Sequence, residues 1–235
     1  MAIKGILFDK DGTLIEANAT WVPVYKSMLA KEMNANEARV IELLSLAGYD
    51  SETDGFKAGS VLAAGTIDQL VDIWWPQLDD SAKRAKVQKI NTDYANEARL
   101  YMKPLMDLVP VFDELHAMDI ILGVATNDIA SSAKFHMEEL GVHDYFVHII
   151  GADSVEIPKP SGQMIALFAE RTGLQPHEIA MVGDNSHDME EAHNGGAGLA
   201  IGVLTGNAEH DDIAHLADHV LASVADIPSL LKQLS

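Results

Sequence analysis

The chain has 235 residues, of which 48% are hydrophobic and 22% are charged, and its formal net charge is −20. The strong negative charge argues against nonspecific binding to nucleic acid or to an anionic membrane, since both are bound through clustered Lys and Arg. The absence of cysteine excludes disulfides and thiol catalysis. No apolar run approaches the length of about 18 residues that predicts a membrane span, and no signal peptide is visible, so we expect a cytoplasmic protein.

The amino-terminal segment predicts a strand that ends in two acids. Residues 3–8 form a short apolar run, and Asp9 and Asp11 follow it on either side of Lys10. Because side chains alternate along an extended chain, the two acids could point the same way just past the strand. Gly12 permits a sharp turn whose backbone N–H groups can face an anion. This pattern favours a metal and phosphate site, with an ordinary turn and a calcium loop as the alternatives.

The segment that follows predicts helices. Between residues 20 and 98, apolar residues recur at helical spacing and no convincing strand appears. Helices are predicted at about residues 21–29, 40–47, 66–75 and 80–99. A helical insertion placed directly after a strand-end site is a common way to build a lid that excludes water and selects substrates.

Two features of this helical segment bear on substrate contacts. Lys57 lies in a glycine-punctuated loop at residues 53–60, where it could contact a substrate carboxylate or a second phosphate. An ordinary turn with a solvated lysine is the alternative. The adjacent Trp74 and Trp75 favour packing or an interface patch over substrate contacts.

The second half of the chain alternates strands and helices. Strands are predicted at residues 120–125, 146–150, 179–182, 198–201 and 219–221, and helices at 106–118, 129–140, 162–172, 187–194 and 227–234. Such alternation indicates parallel strands joined by right-handed crossovers. We therefore predict an α/β fold: a three-layer Rossmann-like parallel sheet, residues 1–16 and 103–235, interrupted by an all-helical cap domain, residues 17–102.

Polar residues follow the core strands where ligands bind in such sheets. Ligand sites lie outside the carboxyl ends of parallel strands. Thr126 and Asn127 follow the second core strand, Lys159 lies in the loop after the third, and Asp184 and Asp188 follow the fourth. Each has a structural alternative: a helix cap for Thr126, a solvated surface position for Lys159, and the charged start of a helix for the two acids. Together with Asp9 and Asp11 at the end of the first strand, these make four strand ends, and taken in order they favour one shared site.

These residue types suit phosphoryl transfer, which is catalysed mostly by positioning and electrostatics. Asp9 can attack phosphorus, and Asp11 can protonate the leaving alcohol and then take a proton from water. Asp9 and Asp184 could supply carboxylates to Mg²⁺, with the Asp11 carbonyl as a further ligand. His187 is not expected to be a ligand, since magnesium favours oxygen. The remaining polar groups can bind phosphate oxygens: the Thr126 hydroxyl, the Asn127 N–H and the Lys159 ammonium.

These motifs resemble the four ordered motifs of the haloacid dehalogenase superfamily, and together with the insertion they resemble its phosphoglycolate phosphatase-like branch. The segments that carry the resemblance are Asp9-Lys10-Asp11-Gly12-Thr13-Leu14, Thr126-Asn127, Lys159-Pro160 and Gly183-Asp184 with Asp188. The resemblance implies a nucleophile at Asp9, an acid/base at Asp11, phosphate ligands at Thr126 and Lys159, Mg²⁺ held by Asp9, Asp11 and Asp184, and support of the metal site by Asp188. It also implies a small phosphorylated metabolite as substrate, with phosphoglycolate the leading candidate. We expect a monomer or homodimer.

Two departures and two alternative functions remain open. Lys10 occupies a position that is commonly hydrophobic in the superfamily, where it could alter the charge of the site or simply face outward. Ser161-Gly162 replaces the frequent proline-acid continuation after Lys159-Pro160. The acid at Asp11 favours a phosphate ester over a halide leaving group, which needs no proton. A phosphomutase or phosphotransferase on the same scaffold, or a catalytically idle binding module, are the alternatives.

Overall fold

The structure is a computed structural model that describes residues 2–234, with the side chains of residues 94–96 not described. Its strands are β1 (Gly5–Phe8), β2 (Tyr49–Asp50), β3 (Gly55–Phe56), β4 (Ile121–Ala125), β5 (Phe146–Ile150), β6 (Ile179–Gly183), β7 (Leu199–Val203) and β8 (His219–Leu221). Its helices are α1 (Ala17–Glu32), α2 (Glu37–Leu46), α3 (Val61–Ala64), α4 (Ile67–Trp74), α5 (Asp80–Ala98), α6 (Val109–Ala117), α7 (Ala130–Glu139), α8 (Gln163–Thr172), α9 (Ser186–Gly195), α10 (His210–Ile213) and α11 (Ile227–Leu234).

The core is a parallel sheet with the strand order β5-β4-β1-β6-β7-β8. Its neighbouring strands pair in parallel, and β1 lies between β4 and β6 with Leu7 opposite Gly123 and Met181. Each of the central strands is an apolar run because both faces of the sheet are covered. The predicted α/β class with a parallel sheet is therefore confirmed.

Helices cover both faces of the sheet and complete three layers. Ile6 and Phe8 of β1 pack on one side with buried residues of α6, α7 and α11. Leu7, which points the other way, packs with buried residues of α8 and α9. The alternation along β1 thus divides the core into two apolar clusters, one on each face of the sheet.

The segment at residues 17–102, which we call the cap, has an apolar cluster of its own. Buried residues of α1, α2, α4 and α5 share this cluster, and both Trp74 and Trp75 are buried in it, as the packing alternative predicts. The expectation of no strand between residues 20 and 98 is wrong, because β2 and β3 pair as an antiparallel hairpin. Strands of two residues are too short to give a periodic pattern. The domain boundaries themselves stay a prediction.

Among the described residues, no helix combines the length and apolar character needed to cross a membrane.

Candidate active site

The carboxyl edge of the sheet gathers the predicted polar residues. Asp9, Thr126 and Asp184 directly follow β1, β4 and β6, which are adjacent in the sheet. The Asp9 N–H donates to the Val182 carbonyl at 2.7 Å, which fixes the start of the turn. Gly12 has a φ of 86°, and a Cβ atom there would lie 2.6 Å from the Asp184 carboxylate. Glycine therefore allows the first loop to approach the end of β6.

Three buried carboxylates form the centre of this edge. Asp9, Asp184 and Asp188 each present an oxygen such that the three atoms lie within 4.8 Å of one another. The Lys159 ammonium contacts the carboxylates of both Asp9 and Asp188, each at 2.6 Å. One lysine faces three acids, so the cluster carries an excess of negative charge where little solvent can screen it.

Burial and the neighbouring charges shift the pKa values of these acids and of the lysine. Burial raises the pKa of Asp9 to about 6, against the opposing effect of the Lys159 ammonium. Burial also raises the pKa of Asp184 and of Asp188. Burial alone would lower the pKa of Lys159, but the carboxylates of Asp188 and Asp9 outweigh it and raise that pKa. Closely spaced, all-oxygen donors with surplus negative charge fit a divalent cation such as Mg²⁺.

Asp188 has two structural duties. Its Oδ2 accepts the Asn185 N–H at 3.1 Å in the first turn of α9, and its Oδ1 accepts the Lys159 ammonium. The helix-start alternative therefore describes part of its role, and its carboxylate also belongs to the buried cluster. Its support of a metal site stays a prediction. The Asp11 carboxylate points elsewhere, toward Lys10 and Trp21.

The loop that carries Lys159 is fixed by two side chains. Asn127 Oδ1 accepts the Lys159 N–H at 3.1 Å, and Asn127 Nδ2 donates to the Lys159 carbonyl at 3.2 Å. Glu191, fully buried, accepts the N–H groups of Gly162 and Met164 at 2.6 and 2.8 Å. Glu191 thus fixes the backbone just after Ser161, where this chain departs from the frequent proline-acid continuation. Sequence reasoning missed it, although a carboxylate between buried Met189 and Ala192 on α9 is the signal that could have found it.

Thr126 is not a helix cap. Helix α7 has Ile129 as its N-cap, without a side-chain hydrogen bond. Thr126 is buried, and its Oγ1 accepts the Asp128 N–H at 3.1 Å. Thr126 and Asn127 both line the cavity that Asp9 also lines, and their binding of phosphate stays a prediction.

A cavity of about 60 Å³ lies between the sheet edge and the cap. The core side includes Asp9, Asp11 and His187, and burial, aided by Lys159, lowers the pKa of His187 to about 3, so its imidazole is neutral. The described lining residues of the cap are uncharged: Ala17, Trp21, Tyr25, Phe56, Leu62, Ala63, Ala64, Gly65 and Ile67. Lys57 is exposed and is not among the described lining residues.

Lys10 is fully buried, so the alternative that it faces outward is wrong. Its ammonium contacts the Asp11 carboxylate at 2.5 Å and the Asp128 carboxylate at 3.5 Å. Burial alone would raise the pKa of Asp11, but Lys10 and the Trp21 N–H outweigh it and lower that pKa. Lys10 therefore alters the charge of the site, which was the other alternative.

A second polar link joins the cap to the site. Asn18 Oδ1 accepts the Phe56 N–H at 3.1 Å, and Asn18 Nδ2 donates to Asn207 Oδ1 at 2.7 Å. The Asn207 N–H in turn donates to Asp184 Oδ2 at 3.2 Å. Helix α1, the cap hairpin and the carboxylate cluster are thus connected through two asparagines, neither of which belongs to a sequence motif.

Comparison with known proteins identifies the family. The model for haloacid dehalogenase-like hydrolases matches residues 3–196, which is most of the chain. The chain belongs to this family. It is similar to a phosphoglycolate phosphatase of Chromobacterium violaceum, with 29% identity over 98% of this chain and 97% of the relative. It is also similar to the pyrophosphatase PpaX of Bacillus velezensis, with 24% identity over 96% of this chain and 94% of the relative.

Solved structures of haloacid dehalogenase-like hydrolases share the fold. A family member from Streptococcus pneumoniae aligns with a TM-score of 0.69 at 20% identity and covers 97% of this chain and 98% of its own. The alignment spans sheet and cap alike, so the resemblance read from the four motifs extends to the whole architecture.

Proposed function

We propose that this haloacid dehalogenase-like hydrolase is a Mg²⁺-dependent phosphatase that hydrolyses a small phosphate monoester through an aspartyl-phosphate at Asp9. The observation that carries the proposal is the environment of Asp9 on the cavity wall. Its carboxylate contacts the Lys159 ammonium at 2.6 Å, and Asp11 lines the same cavity. A nucleophile, a compensating cation and an acid/base meet where a phosphate would bind.

The proposed reaction has two steps. An Asp9 oxygen forms a bond to phosphorus while the bond from phosphorus to the leaving oxygen breaks, and that oxygen takes a proton from Asp11. Water then attacks the phosphoryl group and gives a proton to Asp11, while the bond between phosphorus and the Asp9 oxygen breaks. This step releases phosphate and restores the Asp9 carboxylate. Lys10 and Trp21 favour the ionised Asp11 that the second step needs. The negative charge of an arriving phosphate favours the protonated form that the first step needs.

Asp9, Asp184 and Asp188 would hold Mg²⁺, with the Asp11 carbonyl as a further ligand. When bound, the ion neutralises charge on the phosphate and on the carboxylates. Lys159 remains paired with Asp9 and Asp188 and adds a fixed positive charge next to the nucleophile. Thr126 and Asn127, which line the same cavity as Asp9, would bind phosphate oxygens.

Phosphoglycolate is the leading candidate substrate, since relatives that align over nearly the whole chain are named phosphoglycolate phosphatase. A small ester with an uncharged leaving group is the second candidate, because the described lining residues of the cap are uncharged and Lys57 is not one of them. The cavity of about 60 Å³ suits a leaving group of only a few atoms in either case. A cytoplasmic location and a monomeric or homodimeric state belong to the same proposal.

Phosphate release from a panel of esters tests the function. The panel contains phosphoglycolate, ethyl phosphate, glycerol phosphate, acetyl phosphate and pyrophosphate, each with Mg²⁺ and with a chelator. We expect release that needs Mg²⁺ and that is fastest with a small monoester. A phosphorylated sugar formed in place of free phosphate would indicate a phosphotransferase. No reaction with any compound, from folded protein that binds Mg²⁺, would contradict the proposal.

The carboxylate cluster gives a prediction for the metal. In Asp184→Asn, the Mg²⁺ concentration for half-maximal release should rise by about 10–100-fold, because a charged ligand is lost while the amide keeps the shape. The thermal stabilisation that Mg²⁺ gives the wild type should weaken in parallel. Asp211→Asn, at an exposed position on α10, should leave both unchanged. Equal Mg²⁺ dependence in the two variants would exclude Asp184 from the metal site.

A further inference from the structure

The Asp11 carboxylate has a donor on each of its oxygens, and the two donors come from different parts of the molecule. The Lys10 ammonium of the core contacts Oδ2 at 2.5 Å. The Trp21 indole N–H, from α1 of the cap, donates to Oδ1 at 2.7 Å. Charge-assisted hydrogen bonds of this kind restrict the orientation of a carboxylate more strongly than contacts with solvent would.

The two donors also contact each other. The Lys10 ammonium lies 5.0 Å from the centroid of the Trp21 ring, within the range of a cation–π interaction. Trp21 is almost completely buried and stacks on Tyr25, with ring centroids 5.8 Å apart. Lys10, Asp11 and Trp21 therefore form one packed unit across the boundary between sheet and cap.

A second carboxylate keeps Lys10 in place. Asp128 Oδ2 lies 3.5 Å from the Lys10 ammonium and accepts the Ser132 hydroxyl at 2.7 Å. Asp128 Oδ1 accepts the Ile129 N–H at 2.8 Å. Because Asp128 is fixed by the start of α7, it gives the buried lysine a second anchored carboxylate besides that of Asp11. A buried ammonium needs such partners, so its position is strongly determined.

We propose that Lys10 and Trp21 are positioning residues that clamp the Asp11 carboxylate, one from the core and one from the cap, so that Asp11 meets the leaving-group oxygen only when the cap lies against the sheet. This inference rests on the proposed phosphatase function. Lys10 acts through Asp11 and keeps its protons; Asp11 gives its proton to the leaving oxygen. Without the clamp, the nucleophile and the phosphate contacts remain, and proton delivery is impaired.

The dependence of the rate on the leaving group distinguishes this role from a merely structural one. An alkoxide leaving group needs a proton, whereas the acetate released from acetyl phosphate does not. Lys10→Met keeps most of the length and the apolar packing of the side chain but removes the ammonium group and its charge. Because hydrolysis of the aspartyl-phosphate is common to both substrates and also uses Asp11, the readout is the rate of leaving-group release in the first turnover. We expect this rate to fall by about tenfold or more on the fastest alkyl ester of the panel and by less than about threefold on acetyl phosphate.

The cap offers a matched control. Lys26 makes the same two kinds of contact at a more exposed position away from the site: its ammonium contacts the Asp54 carboxylate at 2.6 Å and lies 4.8 Å from the centroid of the Tyr49 ring. Lys26→Met should leave the first-turnover rate unchanged on both substrates. Trp21→Phe, which keeps a ring but removes the N–H, should repeat the selective loss on the alkyl ester, and it serves as the second variant if Lys10→Met does not fold.

The outcomes separate the clamp from the proposed function. A selective loss on the alkyl ester in either variant supports the clamp. Equal losses of the first-turnover rate on both substrates would overturn it, because a general disturbance of the site slows every substrate alike, and so would first-turnover rates within about threefold of wild type on both. A wild type that hydrolyses acetyl phosphate alone would also overturn it, since no acid is then needed. A wild type without activity on any compound would refute the phosphatase proposal itself.

Discussion

Asp9→Asn should lower phosphate release by about 10⁴-fold or more on every substrate of the panel, because an amide oxygen does not form the acyl-phosphate. Asparagine has nearly the same shape, and it removes one negative charge from a cluster in which burial already disfavours charge. The variant should therefore be at least as stable to denaturant as wild type in the absence of Mg²⁺. Release rates and unfolding curves measured on the same preparation check both expectations.

The exposed Asp211→Asn variant serves as the control for Asp9→Asn, and we expect wild-type release from it. If Asp9→Asn kept activity within about tenfold of wild type, the nucleophile would lie elsewhere, since removal of a covalent nucleophile costs far more than that. A large loss of stability in the variant would instead show that the Asp9 charge is favourable in the folded protein, against the raised pKa of its carboxyl.

Lys159→Met should produce the second large effect, on activity and on stability together. The lysine contacts two buried carboxylates, and its removal leaves them without a compensating charge. Breaking such a buried pair costs about 3–5 kcal/mol of the free energy of unfolding. Mg²⁺ should restore part of that stability, because the cation supplies positive charge to the same acids. It should not restore phosphate release, because the lysine beside the nucleophile is still absent.

The control for this variant is Lys232→Met, which breaks an exposed pair with Glu114. An exposed pair contributes about 0–1 kcal/mol, so this variant should unfold close to wild type. Denaturant unfolding of both variants with and without Mg²⁺ makes the comparison. Similar small losses in the two would mean that the Lys159 pairs are not the main source of charge balance in the cluster.

The sequence predicts the sheet and the site edge well for a physical reason. Parallel strands place their carboxyl ends along one edge, so residues that directly follow β1, β4 and β6 must meet there once the strands are identified. No further information is needed to place Asp9, Thr126 and Asp184 at this edge. Lys159 and Asp188 lie one loop or one helical turn further on, and they too reach the same edge.

What the sequence does not predict depends on contacts between distant segments. The burial of Lys10 requires both Asp128 and Trp21, which come from different parts of the chain. Asn18 and Asn207 are 189 residues apart, and neither has a periodic or motif signal. The hairpin of the cap is too short for an alternating pattern. Such features follow from how the cap lies on the sheet, and only the structure reveals that.

The most direct test of the account is to find the phosphoryl group on Asp9 during turnover. Asp11→Asn is the suitable variant and acetyl phosphate the suitable substrate, because the first step then needs no acid while the second lacks its base. The intermediate should accumulate, and acid quenching followed by peptide mapping should locate one phosphoryl group per chain on Asp9. Release of acetate with no phosphoryl group on Asp9, or with the group on another residue, would contradict the proposed mechanism.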